Sequence, residues 1–270
     1  MRKQYVTILS VIKIIITILY VAYVATILSQ IKMQNLTDLI DFNIADLITQ
    51  FMWVFALFMW VYLAALYILR RIYSIKIMKI LVDECDPEKF LTEYDRFYKT
   101  NAGSLRTQSI NYINKYYAYI CLGAFDIARQ IILSSPSPEI VGSKTYTALY
   151  FTNAAHQHTI DGDYEKARLK LDYVRNLKMM KNIKTNCAIA IDGNESTILR
   201  KQGHLPESRK LLNDLLQRVT HKSHILECTF ALALIDDEEQ KYDAARTAFT
   251  KVAEEGNKLY IVSQAKQMLS

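Results

Sequence analysis

Only seven glycines and four prolines occur in 270 residues. There is no glycine-rich phosphate loop, dinucleotide fingerprint, HExxH or GxSxG, so the motif basis for nucleotide, zinc-protease or serine-hydrolase chemistry is missing. Ser-x-x-Lys occurs at Ser10 to Lys13 and at Ser263 to Lys266, in neither case with companion motifs. Neither an enzyme nor a cofactor is expected. The four cysteines, Cys85, Cys121, Cys187 and Cys228, are widely spaced, form no CxxC and for the most part have no close histidine partner. They read as free thiols packed as small apolar residues in a reducing compartment, with no metal. A strong charge bias is absent too: the net charge is +6, and 1–74 holds six of the 33 Lys/Arg and three of the 27 Asp/Glu. The remainder is nearly balanced, which is too mild for a nucleic-acid partner.

The chain does contain two long apolar runs. The first, 5–28, is interrupted by the single charge of Lys13; the second, 47–69, is uncharged. Each exceeds the ~20 residues that cross a bilayer as a helix. No small-x-small cleavage site follows the first run, so it reads as a span rather than a signal sequence. Arg2 and Lys3 precede the first run, Lys32 lies between the two, and Arg70, Arg71, Lys76 and Lys79 follow the second. Basic flanks stay cytosolic, so both termini are expected in the cytosol and a short loop with Asp38, Asp41 and Asp46 outside. Lys13 reads as a lysine snorkelling to the headgroups. The basic-apolar stretch 70–80 reads as a juxtamembrane segment, so that 1–80 forms a membrane anchor and 81–270 a cytosolic domain. The Ile-, Lys- and Tyr-rich composition suits a bacterial inner membrane.

From Asp86 onward apolar residues recur at helical spacing, and the fold class expected is all-α. Asp86-Pro87 starts a helix, and the glycine-containing 100–107 ends it. One local pattern then occurs four times: Gly123-x-Phe125-x-x-Ala128, Gly162-x-Tyr164-x-x-Ala167, Gly203-x-Leu205-x-x-Ser208 and Gln240-x-Tyr242-x-x-Ala245. Four residues beyond each small residue stand Ile132, Leu171, Leu212 and Phe249; twelve before stand Tyr116, Ala155, Ser196 and Ala233. These offsets build a helix hairpin in which two backbones approach at small residues and an aromatic or Leu plugs the turn.

With this pattern the chain resembles the tetratricopeptide repeat family over roughly 105–255. The small residues are 39, 41 and 37 apart, longer than the family's period of about 34, and Tyr116 stands where a small residue is usual. The resemblance implies an α-solenoid of about four helix pairs, closed at one end by 86–99 and at the other by 257–269. It further implies a long concave surface that holds a peptide or partner protein.

Fourteen residues before each small residue lie Asn114, Asn153, Asn194 and Ala231. An Asn line offers donors and acceptors to an extended peptide, and the resemblance supports this role for an inner groove. Tyr117 and His156 are counted with these as groove residues. The pairs His156/His158 and His221/His224 lack further ligands and read as surface histidines. The acidic run 236–239 reads as a solvated helix end. The function expected is a membrane-anchored scaffold or adaptor for a protein partner. The alternative is a transmembrane sensor, regulator or immunity-type protein that signals through its repeats.

Overall fold

The computed structural model describes residues 44–99, 103–178 and 181–270, together with 14, 17, 18, 20, 21 and 23–25. Every regular element among them is a helix, so the all-α class holds. The chain forms two compact units, Met1–Lys76 and Ile77–Ser270.

In the first unit, the expected span 5–28 lies outside the described residues except for the eight near the N-terminus, which are helical. Lys13 and the loop acids Asp38 and Asp41 lie outside them as well. Helix α1, Ile44–Val82, includes the second run and continues beyond it for 39 residues in all, about 58 Å at ~1.5 Å per residue. Its portion Met52–Val82, whose most apolar 18-residue window has mean hydropathy 2.1, is long and apolar enough to cross a membrane. Arg70 and Arg71 do not interrupt it.

The second unit begins inside α1. Ile77, Ile80 and Leu81 are 1 % exposed or less, so the end of the juxtamembrane segment is core of the helical unit. Cys85 then takes a left-handed φ of 55°, and α2, Pro87–Lys99, starts where Asp86 Oδ1 accepts the Lys89 N–H at 3.0 Å. Four helix pairs follow: α3, Leu105–Cys121, with α4, Phe125–Ser134; α6, Lys144–Ile160, with α7, Tyr164–Asn176; α8, Lys181–Lys201, with α9, Leu205–Leu216; and α10, Lys222–Glu238, with α11, Tyr242–Glu255. The short α5, Pro138–Val141, lies in the connector after α4, and α12, Tyr260–Leu269, ends the chain.

The four turns within the pairs share one backbone design. Gly123, Gly162, Gly203 and Gln240 have φ of 74°, 79°, 82° and 61°. After each, the next N–H reaches the carbonyl five residues back: Ala124 to Tyr119, Asp163 to His158, His204 to Leu199 and Lys241 to Asp236, at 2.7–2.9 Å. This closes the helix with a left-handed cap that saturates carbonyls the helix leaves free, and it reverses the chain in three residues. The small residues Ala128, Ala167, Ser208 and Ala245 are at most 2 % exposed, as are Ala155, Ser196, Ala233 and Tyr116 twelve before them. In the third pair the Ser208 hydroxyl donates to the Ser196 carbonyl at 2.7 Å, a direct measure of how near the backbones come. The turn plug holds for Phe125, Tyr164 and Leu205, which pack on neighbours, but Tyr242 is 62 % exposed. The last turn has no following pair to cover it.

Each pair also packs on the next. Tyr150 and Ala154 of α6 lie on the core of α3 and α4; Cys187, Ile191 and Ile198 of α8 join that of α6 and α7; and Ile189 of α8 lies on that of α9 and α10. A pair therefore completes its core only with its neighbour. All four cysteines are buried free thiols, and burial raises the pKa of each, that of Cys228 to about 12. Thiols so held are inert at neutral pH.

Two expectations are corrected here. The segments 86–99 and 257–269 do not stand at opposite ends: the Lys258 N–H donates to the Cys85 carbonyl at 3.1 Å, the Asn257 amide to the Glu84 carbonyl at 2.8 Å, and Lys258 Nζ lies 2.9 Å from Glu88. Helix α12 touches α10 and α11 and also α3, so the last pair comes round to the first. The acidic run is not simply solvated either. Arg209 lies 2.7 Å from Asp236 and 2.6 Å from Glu239, and Arg200 pairs with Glu238, so the run ties the third pair to the fourth.

Candidate functional site

The inner faces of the helix pairs line a half-open cavity of about 720 Å³. Helices α3, α6, α8 and α10 supply most of the wall, and α12 inserts Tyr260, Gln264 and Met268 from one side. The volume lies within the usual ~300–1,000 Å³ of ligand sites.

Tyr117, Asn153, His156 and Asn194 all line this cavity. Asn153 also bridges units, its amide reaching the Ile113 carbonyl of α3 at 3.5 Å. Asn194 is 6 % exposed; its amide donates to the Ala190 carbonyl at 2.9 Å, and its Oδ1 is buried with no partner. An orphaned buried acceptor is costly. Asn114 is placed elsewhere. Its amide donates to the Tyr94 hydroxyl at 2.7 Å, so it joins α3 to α2 and is not part of the wall. Its register equals that of Asn153, but the preceding neighbour of the first pair is a single helix that offers a phenol there.

His156 is not a surface histidine. Its Nδ1 lies 3.1 Å from the Tyr116 hydroxyl, the two rings meet edge to face, and burial lowers its pKa to about 4. The ring is therefore neutral at physiological pH and can exchange a hydrogen bond with a ligand without carrying charge. Tyr116, too large for the usual small position, fills the space between the first two pairs.

The charged residues of the wall are not visible in the repeat pattern. Glu227, on α10, accepts the Tyr117 hydroxyl at 3.3 Å and lies 3.9 Å from the Cys121 thiol, both through Oε1. Burial raises its pKa, opposed by charge on His224 and by those two donors. Lys201 and Arg200, the last residues of α8, also line the cavity. Their signal in sequence is only their sign; the separation of 110 residues between Tyr117 and Glu227 hides the contact.

The chain matches no protein-family model, no curated protein and no solved structure.

Proposed function

We infer that the chain is a membrane-anchored scaffold or adaptor of tetratricopeptide-like build, which binds a peptide or protein segment in the cavity on its inner faces. The observation that carries this reading is the convergence of Tyr117, Asn153, His156 and Asn194 on one cavity, with Asn194 Oδ1 left without a partner. The four identical turns and the interlocked cores support the repeat reading. In the proposed topology, 5–28 and α1 span a bacterial inner membrane and the basic residues after the second run keep the repeats cytosolic. The work done is binding and positioning.

The test uses full-length protein solubilised from membranes. The double variant Asn153→Ala, Asn194→Ala loses a partner that co-purifies with the wild type, while its thermal unfolding stays within a few degrees. Undiminished co-purification would contradict the reading.

One feature of α1 favours a sensor as second reading: the helix is unbroken from its apolar run to its buried residues Ile77, Ile80 and Leu81. Two glycines inserted after Lys76 would abolish output in a sensor and leave it intact in a scaffold.

A further inference from the structure

The stretch of α1 that follows its uncharged run carries cations without counter-ions. Arg70, Arg71 and Lys76 are exposed, and none of them makes an ion pair among the described residues. The isoleucines beside them are exposed as well: Ile72 by 45 % and Ile75 by 51 %, with Ile68 at 54 % one turn earlier. At about 100° of rotation per residue, Ile68, Ile72 and Ile75 fall within an arc of roughly 60°. Arg71 lies about 40° beyond one edge of this arc and Lys76 about 40° beyond the other. The result is an apolar strip between two cations, and the buried Tyr73 faces away from it.

Helix geometry places this strip at one depth. The uncharged run 47–69 is itself long enough for the ~30 Å hydrocarbon core, and the headgroup layers add roughly 5–8 Å on each side. Residues 70–76 advance about 10 Å at ~1.5 Å per residue, so in a spanning α1 they cross the headgroup layer. Exposed isoleucines there leave water for the acyl boundary, while the guanidinium and the ammonium reach phosphates on flexible stems. A basic flank that only halts translocation has no need of exposed isoleucines between its cations. A second copy of the strip is a poor occupant, because it would bring the same cations against Arg71 and Lys76. Charge complementarity and continuity with the uncharged run both select lipid.

We propose that the 68–76 face of α1 binds anionic phospholipids of the leaflet it leaves, with Arg71 and Lys76 on headgroup phosphates and Ile72 and Ile75 at the acyl boundary. This rests on the membrane-spanning reading above and adds to it a choice among lipids. Each cation near an anionic surface contributes up to about fivefold to such a preference. Salt screens the attraction.

The test reconstitutes the full chain in phosphatidylcholine vesicles with a trace of nitroxide-labelled phosphatidylglycerol or nitroxide-labelled phosphatidylcholine. Electron spin resonance reads the fraction of each lipid held at the protein. Phosphatidylglycerol should be favoured by about threefold or more at low salt. The double variant Arg71→Gln, Lys76→Gln should lower this ratio by about half or more, as should ~1 M salt. The control pair Lys210→Gln, Lys251→Gln, at exposed positions of the helical unit, should leave it unchanged. A nitroxide on Ile75→Cys, for which the four buried thiols do not compete, should meet dissolved oxygen more often than an aqueous nickel complex. Equal holding of both lipids overturns the proposal and leaves the span intact. No lipid held in either case overturns the proposal and the membrane-spanning reading together. A ratio unmoved by the double variant assigns the preference to other residues and overturns this one. A label at position 75 that is open to the nickel complex, or broadened by the label of a second copy, gives the strip to water or to self-association and likewise overturns it.

Discussion

The Tyr117 hydroxyl of the first helix pair donates to Glu227 of the fourth at 3.3 Å, across 110 residues of chain. Removing the hydroxyl removes this contact and leaves the Cys121 thiol as the weak protein donor to Glu227 among the described residues. Tyr117→Phe should cost about 1–2 kcal/mol in denaturant unfolding of the full chain, since the acceptor is a carboxylate. In Glu227→Gln the same change should cost less, and equal costs in both backgrounds would show that the bond contributes nothing.

Gly123 and Gly162 have similar positive φ but different surroundings. A Cβ on Gly162 meets open space, whereas one on Gly123 would lie 2.3 Å from the Tyr260 ring of α12. Gly162→Ala should cost about 1 kcal/mol from conformation alone. Gly123→Ala should cost clearly more and be partly rescued by Tyr260→Ala; thermal unfolding measures both. At Gln240, already left-handed without being glycine, Gln240→Gly should stabilise by up to about 1 kcal/mol.

His156 gives the unit an acid sensitivity of definite sign. Its folded pKa is about 4, against 6.5 ordinarily, so the unfolded chain binds the proton first as pH falls. Stability from this residue is full above pH 6.5 and is lost progressively down to about pH 4, by at most about 3 kcal/mol. Glu227, whose folded pKa is raised from 4.5, acts in the opposite sense: its contribution is present below 4.5 and fades as pH rises through the folded value. Subtracting the unfolding profile of His156→Gln from that of the wild type cancels the Glu227 contribution. The difference should then be constant above pH 6.5 and fall between pH 6.5 and about 4.

Gly193 lies within α8 and lines the cavity, with nothing within 4 Å of an added Cβ. Gly193→Ala should stabilise the helix by up to about 1 kcal/mol. Gly193→Phe should fill the cavity and abolish co-purification of the partner with the fold intact, which circular dichroism and co-purification together would check.

The helix pairs are legible in the sequence because their determinants are local. A left-handed residue, a small residue five later and another twelve before that are set by the geometry of one hairpin. Closure of the array is not legible. It depends on the contacts of Tyr117 with Glu227 and of Lys258 with residues 85–88, which accumulate from small rotations between successive pairs and leave no periodic trace. The Asn line is half legible for a related reason: Asn153 and Asn194 face the cavity, while Asn114 in the same register meets Tyr94, because what a position faces depends on the neighbouring unit. The burial of His156 is hidden in the same way, since two histidines two apart do not reveal which side of the helix the neighbouring units cover.

The most direct measurement places a photocrosslinking amino acid at position 194 of the full chain in its native membrane, with position 169 as control. Asn194 faces the cavity and Leu169 is 69 % exposed on α7. A discrete adduct from 194, absent from 169 and lost in Gly193→Phe, is the result expected of a cavity that binds a peptide or protein segment. Adducts of equal yield from both positions, or none from 194 while the protein is folded and active, would contradict it.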